Sequence, residues 1–228
     1  FIILGDVIDR GLSSKETVDF LIEMQDKTLL TCLRGNHEDL MINFVENEGR
    51  YPDFQWHERV GLSTVASFMG ISMEEASVKS HWEIIPYFKP YMEFFKNTHE
   101  YCIERTYKHN FLFSHAGPAY FDLPPDKQYI GCSPEEKRRH YPFLWHRKVK
   151  SFQNPYCDYI IVHGHDALVN KYSVPEECSG VEPHIHKSSN GRVISVNIDT
   201  GCVYGGKLTA MLIDEQGNIA FESVRCGD

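Results

Sequence analysis

Four side chains of types that bind metal ions each follow an apolar run in this 228-residue sequence: Asp6, Asn36, His115 and His165. They offer one carboxylate, one amide oxygen and two imidazole rings. This mixture of donors suits a borderline divalent cation such as manganese, iron or zinc better than calcium. A water molecule on such a cation can lose a proton near neutral pH and attack phosphorus. The residue types therefore predict a metal site capable of phosphoryl chemistry.

Charged residues beside these ligands could handle the phosphoryl group and the leaving oxygen. Arg10 and Arg147 carry guanidinium groups, which can hold a phosphate through two parallel hydrogen bonds. His37 directly follows Asn36 and could donate a proton to the leaving oxygen, while Asp9 holds its other ring nitrogen. These residues predict acid catalysis next to the metal site.

Buried strands are expected to position these residues, because each one follows a short apolar run. Residues 1–4, 28–33 and 159–162 are such runs, and a helical pattern extends from about residue 14 to 26. Residues 1–33 therefore predict a β-α-β unit. In an open sheet of parallel strands, ligands bind at the carboxyl ends of the strands.

The rest of the chain is predicted to be mostly helical before residue 100 and mostly strand after it. Residues 50–100 are rich in aromatic residues and predict an inserted helical layer, in which such a stripe is more often core packing than a substrate wall. Hairpins are predicted at residues 101–113 and 207–224, and a strand at residues 193–198. Residues 173–192 are predicted to form a loop.

Composition excludes several classes of partner. A formal net charge of −9 argues against nucleic acid as the main partner, because a phosphate backbone attracts basic proteins. No run approaches the roughly 20 apolar residues of a membrane span, so no membrane partner is expected. Seven scattered cysteines without a Cys-x-x-Cys pair favour reduced thiols in a cytoplasm over a disulfide framework. Nothing in the sequence indicates an oligomeric state.

The ligand-type residues lie in four motifs: Gly5-Asp6-Val7-Ile8-Asp9-Arg10-Gly11, Arg34-Gly35-Asn36-His37-Glu38, Ser114-His115-Ala116-Gly117 and Val162-His163-Gly164-His165. In order and spacing they resemble the signatures of the phosphoprotein phosphatase family, the serine/threonine protein phosphatases among the calcineurin-like metallophosphoesterases. Residues 199–210 resemble the C-terminal end of the prokaryotic branch. The resemblance covers nearly the whole chain.

The resemblance implies a four-layer α/β (α+β) fold, a central β-sandwich flanked by helices, and a single domain over residues 1–228. It implies hydrolysis of phosphoserine or phosphothreonine in a protein or peptide by direct attack of a metal-bound hydroxide. Two divalent ions act in the family, and manganese is the first expectation here, with iron or zinc as alternatives.

Site residues follow from the same resemblance. Asp6 would bridge two metals, and the other three ligands would complete the shell of the second metal. The assigned residues are Asp6, Asn36, His115 and His165 for the metals, His37 and Asp9 for catalysis, and Arg10 and Arg147 for phosphate binding.

An earlier Gly-Asp-x-His-Gly motif, which supplies ligands of the first metal in that family, has no counterpart in this sequence. We therefore expect the sequence to lack the N-terminal strand and the first metal-binding motif of the domain. Two alternatives to a protein phosphatase stay open. A symmetrical dinucleoside tetraphosphate hydrolase shares these motifs and would stack a base on aromatic residues, for which residues 82–95 are the candidates. A non-catalytic relative with at most one metal would act through protein contacts.

Overall fold

The computed structural model describes residues 1–50, 56–119, 125–128, 132–133, 141–147, 149, 158–169 and 181–226. The chain divides into two compact units, Phe1–His99 and Glu100–Asp228. Within the described ranges, no helix is long and apolar enough to cross a membrane.

The first unit combines a pair of parallel strands with helices. The strands are β1 (Ile2–Ile3) and β2 (Thr31–Cys32), and the helices are α1 (Ser14–Gln25), α2 (Asn36–Glu46), α3 (Trp56–Arg59), α4 (Leu62–Met69), α5 (Met73–Ser77), α6 (His81–Phe88) and α7 (Met92–Lys96), with a 3₁₀ turn at Lys89–Tyr91. Ile2 pairs with Thr31 and Ile3 with Cys32. The predicted β-α-β unit is confirmed, although both strands are shorter than predicted.

Aromatic side chains hold the helical layer of the first unit together. The ring of Phe88 stacks on Phe68 at a centroid distance of 4.5 Å and meets Trp56 edge-on at 5.5 Å. Trp56 and Phe88 are completely buried. The predicted helical layer is therefore confirmed, and these aromatic residues are core residues.

A mixed five-stranded sheet is the centre of the second unit. Its strands lie in the order β3 (Tyr101–Arg105), β4 (Asn110–Ser114), β5 (Tyr159–His163), β7 (Val193–Asn197) and β6 (His184–Lys187). The three central strands are parallel, while β3 and β6 run antiparallel at the edges. The unit also contains the short helix α8 (Tyr141–Leu144), 3₁₀ turns at Pro125–Lys127 and Cys202–Tyr204, and the hairpin of β8 (Lys207–Ile213) and β9 (Ile219–Arg225). Both predicted hairpins are confirmed.

The parallel strands β4, β5 and β7 are buried along most of their length. They are apolar because the sheet is covered, as is usual for parallel strands. The core cluster around them contains Leu112, Phe143, Leu144, Val149, Ile161 and Ile194. Because parallel strands end at the same edge of a sheet, the residues that follow β4, β5 and β7 lie on one side of this unit.

The predicted loop at residues 173–192 is wrong at His184–Lys187, which form β6. This strand pairs with β7 at the edge of the sheet, and three of its four side chains are exposed. An exposed edge strand needs no apolar alternation, so its polar residues did not indicate a strand. Residues 173–180 lie outside the described part of the chain.

Replacement of Ile161 by Ala should lower the free energy of unfolding by about 2–5 kcal/mol. Ile161 is completely buried in the central strand β5, so the shorter side chain leaves a cavity. Urea denaturation followed by circular dichroism measures the loss. Ile185→Ala on the edge strand β6 is the control, because this side chain is 38% exposed and should cost far less. Equal losses in the two variants would contradict the position of the core.

Candidate active site

The loop that follows β1 has an unusual backbone. Asp6, Asp9 and Arg10 have φ angles of 54°, 73° and 64°, in the left-handed region. Residues other than glycine rarely adopt this region, and they keep it only where the surroundings hold them there. Interactions outside the loop must therefore determine its shape.

The buried carboxylate of Glu38 holds this loop. Its Oε2 accepts hydrogen bonds from the backbone N–H groups of Asp6 and Gly35, both at 2.8 Å. Its Oε1 accepts from the N–H groups of Val7 and Ile8 at 2.8 and 3.3 Å. Glu38 lies in the first turn of α2, so one side chain connects the loop after β1 to the beginning of this helix.

Asp6 and Asn36 lie beside the N-terminal end of α2. Asn36 is the first residue of the helix and is buried, and the backbone N–H of His37 donates to Asp6 Oδ1 at 3.2 Å. The positive end of the helix dipole favours a carboxylate at this position. Gly35 is required here, because a Cβ atom on it would overlap the carboxylate of Asp6. Two of the predicted ligands, Asp6 and Asn36, are thus close together.

Asp9 and His37 form a buried pair beside them. His37 Nδ1 lies 2.6 Å from Asp9 Oδ2. Trp56 Nε1 donates to the same oxygen at 2.8 Å, and Thr64 Oγ1 donates to Asp9 Oδ1 at 2.6 Å. An ionised carboxylate can only accept, so Nδ1 of His37 is a donor and Nε2 is the nitrogen left for proton transfer.

Burial lowers the pKa of His37, but the charge of Asp6 and the hydrogen bond to Asp9 outweigh it, so the pKa is raised overall. A raised pKa keeps the ring protonated closer to neutral pH, which is the state that a general acid requires. Arg10, at the end of the same loop, has an exposed side chain.

In the second unit, His115 and His165 face each other at the carboxyl ends of β4 and β5. His115 Nε2 lies 3.0 Å from His165 Nδ1, and the two rings meet edge to face at an angle of 69°, with centroids 4.9 Å apart. His165 also has a left-handed φ of 64°. The backbone N–H of Gly164, the residue before it, donates to the carbonyl oxygen of His115 at 2.9 Å. Two imidazole nitrogens bound to one ion at about 2.0–2.1 Å would lie roughly 3 Å apart, so this donor pair fits a divalent transition metal.

Arg147 and His163 lie at the same end of the sheet. Arg147 Nη1 is 3.3 Å from both the carbonyl oxygen of His165 and Oδ1 of Asp166, and the side chain is 58% exposed. Burial lowers the pKa of His163 to about 4, and its Nδ1 faces the carbonyl of Gly164. His163 is therefore neutral at physiological pH, and Arg147 is the cationic group beside His165.

Residues 1–194 match the sequence model of a family described as calcineurin-like phosphoesterase. The chain belongs to the calcineurin-like phosphoesterase family. The predicted fold class is thereby confirmed: the structure is a mixed α/β fold with helices and a central mixed sheet. Family membership also supports the prediction of a hydrolase.

The chain is similar to a curated enzyme and to two proteins of solved structure. The asymmetrical bis(5'-nucleosyl)-tetraphosphatase PrpE of Anoxybacillus flavithermus is 27% identical over 225 residues, which cover 96% of this chain and 78% of PrpE. The crystal structure of a proposed diadenosine tetraphosphatase has a TM-score of 0.51 at 18% identity and covers 98% of this chain and 79% of its own. Hypothetical protein PH1004 of Pyrococcus horikoshii OT3 has a TM-score of 0.46 at 14% identity, with 98% and 73% coverage.

Three residues that hold the predicted site residues of the first unit in place were not themselves predicted: Glu38, Trp56 and Thr64. Trp56 and Thr64 contact Asp9 from positions 47 and 55 residues away, and no sequence pattern connects them to it. Glu38 did have a signal, because an acidic residue three positions after a helix cap is typical of a capping box. That spacing holds for Gly35 and Glu38.

In the metal-free protein, Glu38→Gln should change how stability depends on pH. Burial, followed by the charge of Asp6, raises the pKa of Glu38 from 4.5 to about 7, although the N–H donors act in the opposite direction. Between pH 4.5 and 7, Glu38 therefore keeps its proton in the folded state and loses it in the unfolded state. The stability contributed by Glu38 is complete below pH 4.5 and is lost as pH rises through 7. Urea denaturation at pH 5 and at pH 7.5 measures this loss.

The wild type should lose more stability between the two pH values than Glu38→Gln does. Glu74→Gln, an exposed position on α5, is the matched control and should keep the wild-type difference. An identical pH dependence in wild type and Glu38→Gln would refute the shifted pKa.

Proposed function

We propose that this protein is a metal-dependent hydrolase of dinucleoside tetraphosphates. The observation that carries the proposal is the 27% identity with a bis(5'-nucleosyl)-tetraphosphatase over 96% of the chain. The four motifs are also compatible with this substrate class, as an alternative to phosphoproteins. Like a phosphate ester, the phosphoanhydride of such a substrate presents an electrophilic phosphorus with negatively charged oxygens.

Site residues keep the assignments that the motifs imply, as part of this proposal. A bound divalent cation would polarise a phosphoryl oxygen and lower the pKa of a bound water. Manganese remains the first expectation for its identity, and a cytoplasmic location also stays a prediction. The proposed residues are Asp6, Asn36, His115 and His165 for the metals, Arg10 and Arg147 for the phosphates, and His37 with Asp9 for proton transfer.

Proton transfer in the proposal uses the geometry of the first unit. His37 Nε2 would donate its proton to the oxygen that leaves phosphorus, and the bond from Nδ1 to Asp9 would stabilise the positive ring before transfer. Arg10 is an exposed residue, and its guanidinium would bind the negative oxygens of a substrate.

A nucleoside substrate needs a surface on which its base can stack, and residues 82–95 were the predicted source. Phe88 and Phe95 in this range are completely buried and unavailable. Trp82 and Tyr87 on α6 are 56% and 45% exposed, and the guanidinium of Arg50 lies 5.9 Å from the centre of the Trp82 ring. Trp82 and Tyr87 are therefore the proposed stacking residues.

A second candidate is hydrolysis of phosphoserine or phosphothreonine in proteins. It is supported by the motif Gly5-Asp6-Val7-Ile8-Asp9-Arg10-Gly11, which resembles that of protein phosphatases. A serine alkoxide is a poorer leaving group than a nucleotide phosphate, so this reaction would depend more strongly on His37.

A comparison of kcat/KM for two substrates tests the proposal. With Mn²⁺, we expect kcat/KM for diadenosine tetraphosphate to exceed that for a phosphoserine peptide by about tenfold or more, a difference of about 1.4 kcal/mol in transition-state stabilisation. Nucleotide products are measured by chromatography and phosphate release by a colorimetric assay. The opposite preference would support the protein phosphatase, and turnover of neither substrate would favour the non-catalytic relative.

His165→Ala should abolish this turnover and lower the affinity for Mn²⁺ by about tenfold or more, because a ligand nitrogen is lost. Elemental analysis and calorimetric titration measure the metal. His186→Ala on the edge strand β6 is the control for the loss of a histidine and should keep wild-type binding. Unchanged metal affinity in His165→Ala would refute its role as a ligand.

A further inference from the structure

Two residues of the helical layer hold Asp9 in a fixed orientation. Trp56, in α3, donates its indole N–H to Asp9 Oδ2 at 2.8 Å. Thr64, in α4, donates its hydroxyl to Asp9 Oδ1 at 2.6 Å and accepts from the backbone N–H of Asp9 at 2.7 Å. Both carboxylate oxygens and the backbone of Asp9 are therefore fixed from outside its own loop.

These contacts lie in a buried part of the protein. Trp56 and Thr64 are completely buried, and His37 and Asp9 are only 4% and 7% exposed. In such surroundings hydrogen bonds are strong, and water cannot replace a donor that is lost. A buried carboxylate without these donors would turn to find others, and the ring that it holds would turn with it.

We propose that Trp56 and Thr64 are positioning residues, which orient the Asp9 carboxylate so that His37 presents Nε2 to the leaving oxygen. The inference rests on the proposed function, in which His37 gives its proton to that oxygen. In this proposal, α3 and α4 position a residue of the reaction and also form part of the core. A purely structural role would change stability without a selective effect on proton transfer.

The chain offers closely matched variants for a test. Thr64→Val keeps the shape of the side chain and removes the hydroxyl, whereas Thr64→Ser keeps the hydroxyl. Trp56→Phe keeps an aromatic ring beside Phe88 and removes the N–H donor. Ser63→Ala is the control in the same helix, because the buried Ser63 hydroxyl has no hydrogen-bond partner among the described residues.

Phosphate esters with different leaving groups distinguish a loss of proton donation from a loss of folded protein. p-Nitrophenolate leaves without much help from an acid, whereas phenolate needs the proton more. With Mn²⁺, Thr64→Val and Trp56→Phe should lower kcat for phenyl phosphate by about tenfold or more and for p-nitrophenyl phosphate by less than about threefold, with KM nearly unchanged. Thr64→Ser should keep most of the wild-type kcat for phenyl phosphate, and Ser63→Ala should resemble the wild type.

A spectroscopic measurement on the metal-free protein does not depend on turnover. The Nδ1–H proton of His37, held against Asp9 at 2.6 Å, should give a low-field proton resonance that is protected from exchange. His37→Asn identifies this resonance by its loss. The resonance should broaden or disappear in Thr64→Val and Trp56→Phe and persist in Thr64→Ser and Ser63→Ala.

The His37→Asn variant separates failure of this inference from failure of the proposed function. If His37→Asn affects both esters equally, the assignment of His37 as general acid fails, and the inference fails with it. If His37→Asn is selective for phenyl phosphate but Thr64→Val and Trp56→Phe are not, only the positioning role is refuted. An undisturbed Nδ1–H resonance in both variants would refute it as well, whether or not the esters are hydrolysed.

Discussion

The first unit depends on one buried carboxylate. Glu38 accepts four backbone hydrogen bonds, and these hold the loop after β1 against the beginning of α2. Together these hydrogen bonds maintain a loop with three left-handed non-glycine residues. The close approach also requires Gly5 and Gly35, because a Cβ atom on either one would overlap the opposite segment.

The two units position their predicted site residues in different ways. The first holds Asp9 and His37 through long-range hydrogen bonds from the helical layer, in surroundings that exclude water. The second brings His115 and His165 together because β4 and β5 are parallel neighbours whose carboxyl ends meet. The first arrangement suits proton transfer from an oriented ring, and the second suits a metal ion, which needs two nitrogens at a fixed separation.

Motifs of this kind identify chemistry better than they identify a substrate. The motif residues are those that would bind a metal ion and act on a phosphoryl group and a leaving oxygen. Phosphoproteins and dinucleoside tetraphosphates both contain these two groups. The sequence therefore indicated the calcineurin-like family, to which the chain belongs. In the proposed function, the choice between the two substrates would depend on surfaces outside the motifs, such as the exposed Trp82 and Tyr87.

The sequence by itself determined the β-α-β unit, the buried parallel strands and the motif residues, because apolar periodicity and glycine-bounded motifs are local signals. Only the tertiary structure decided that β6 is a strand, since an edge strand needs little apolar pattern. It alone placed Trp56 and Thr64 on Asp9, because contacts across about fifty residues arise from helix packing and leave no trace in residue spacing. Local spacing can indicate which residues react, but packing between distant segments decides what holds them in place.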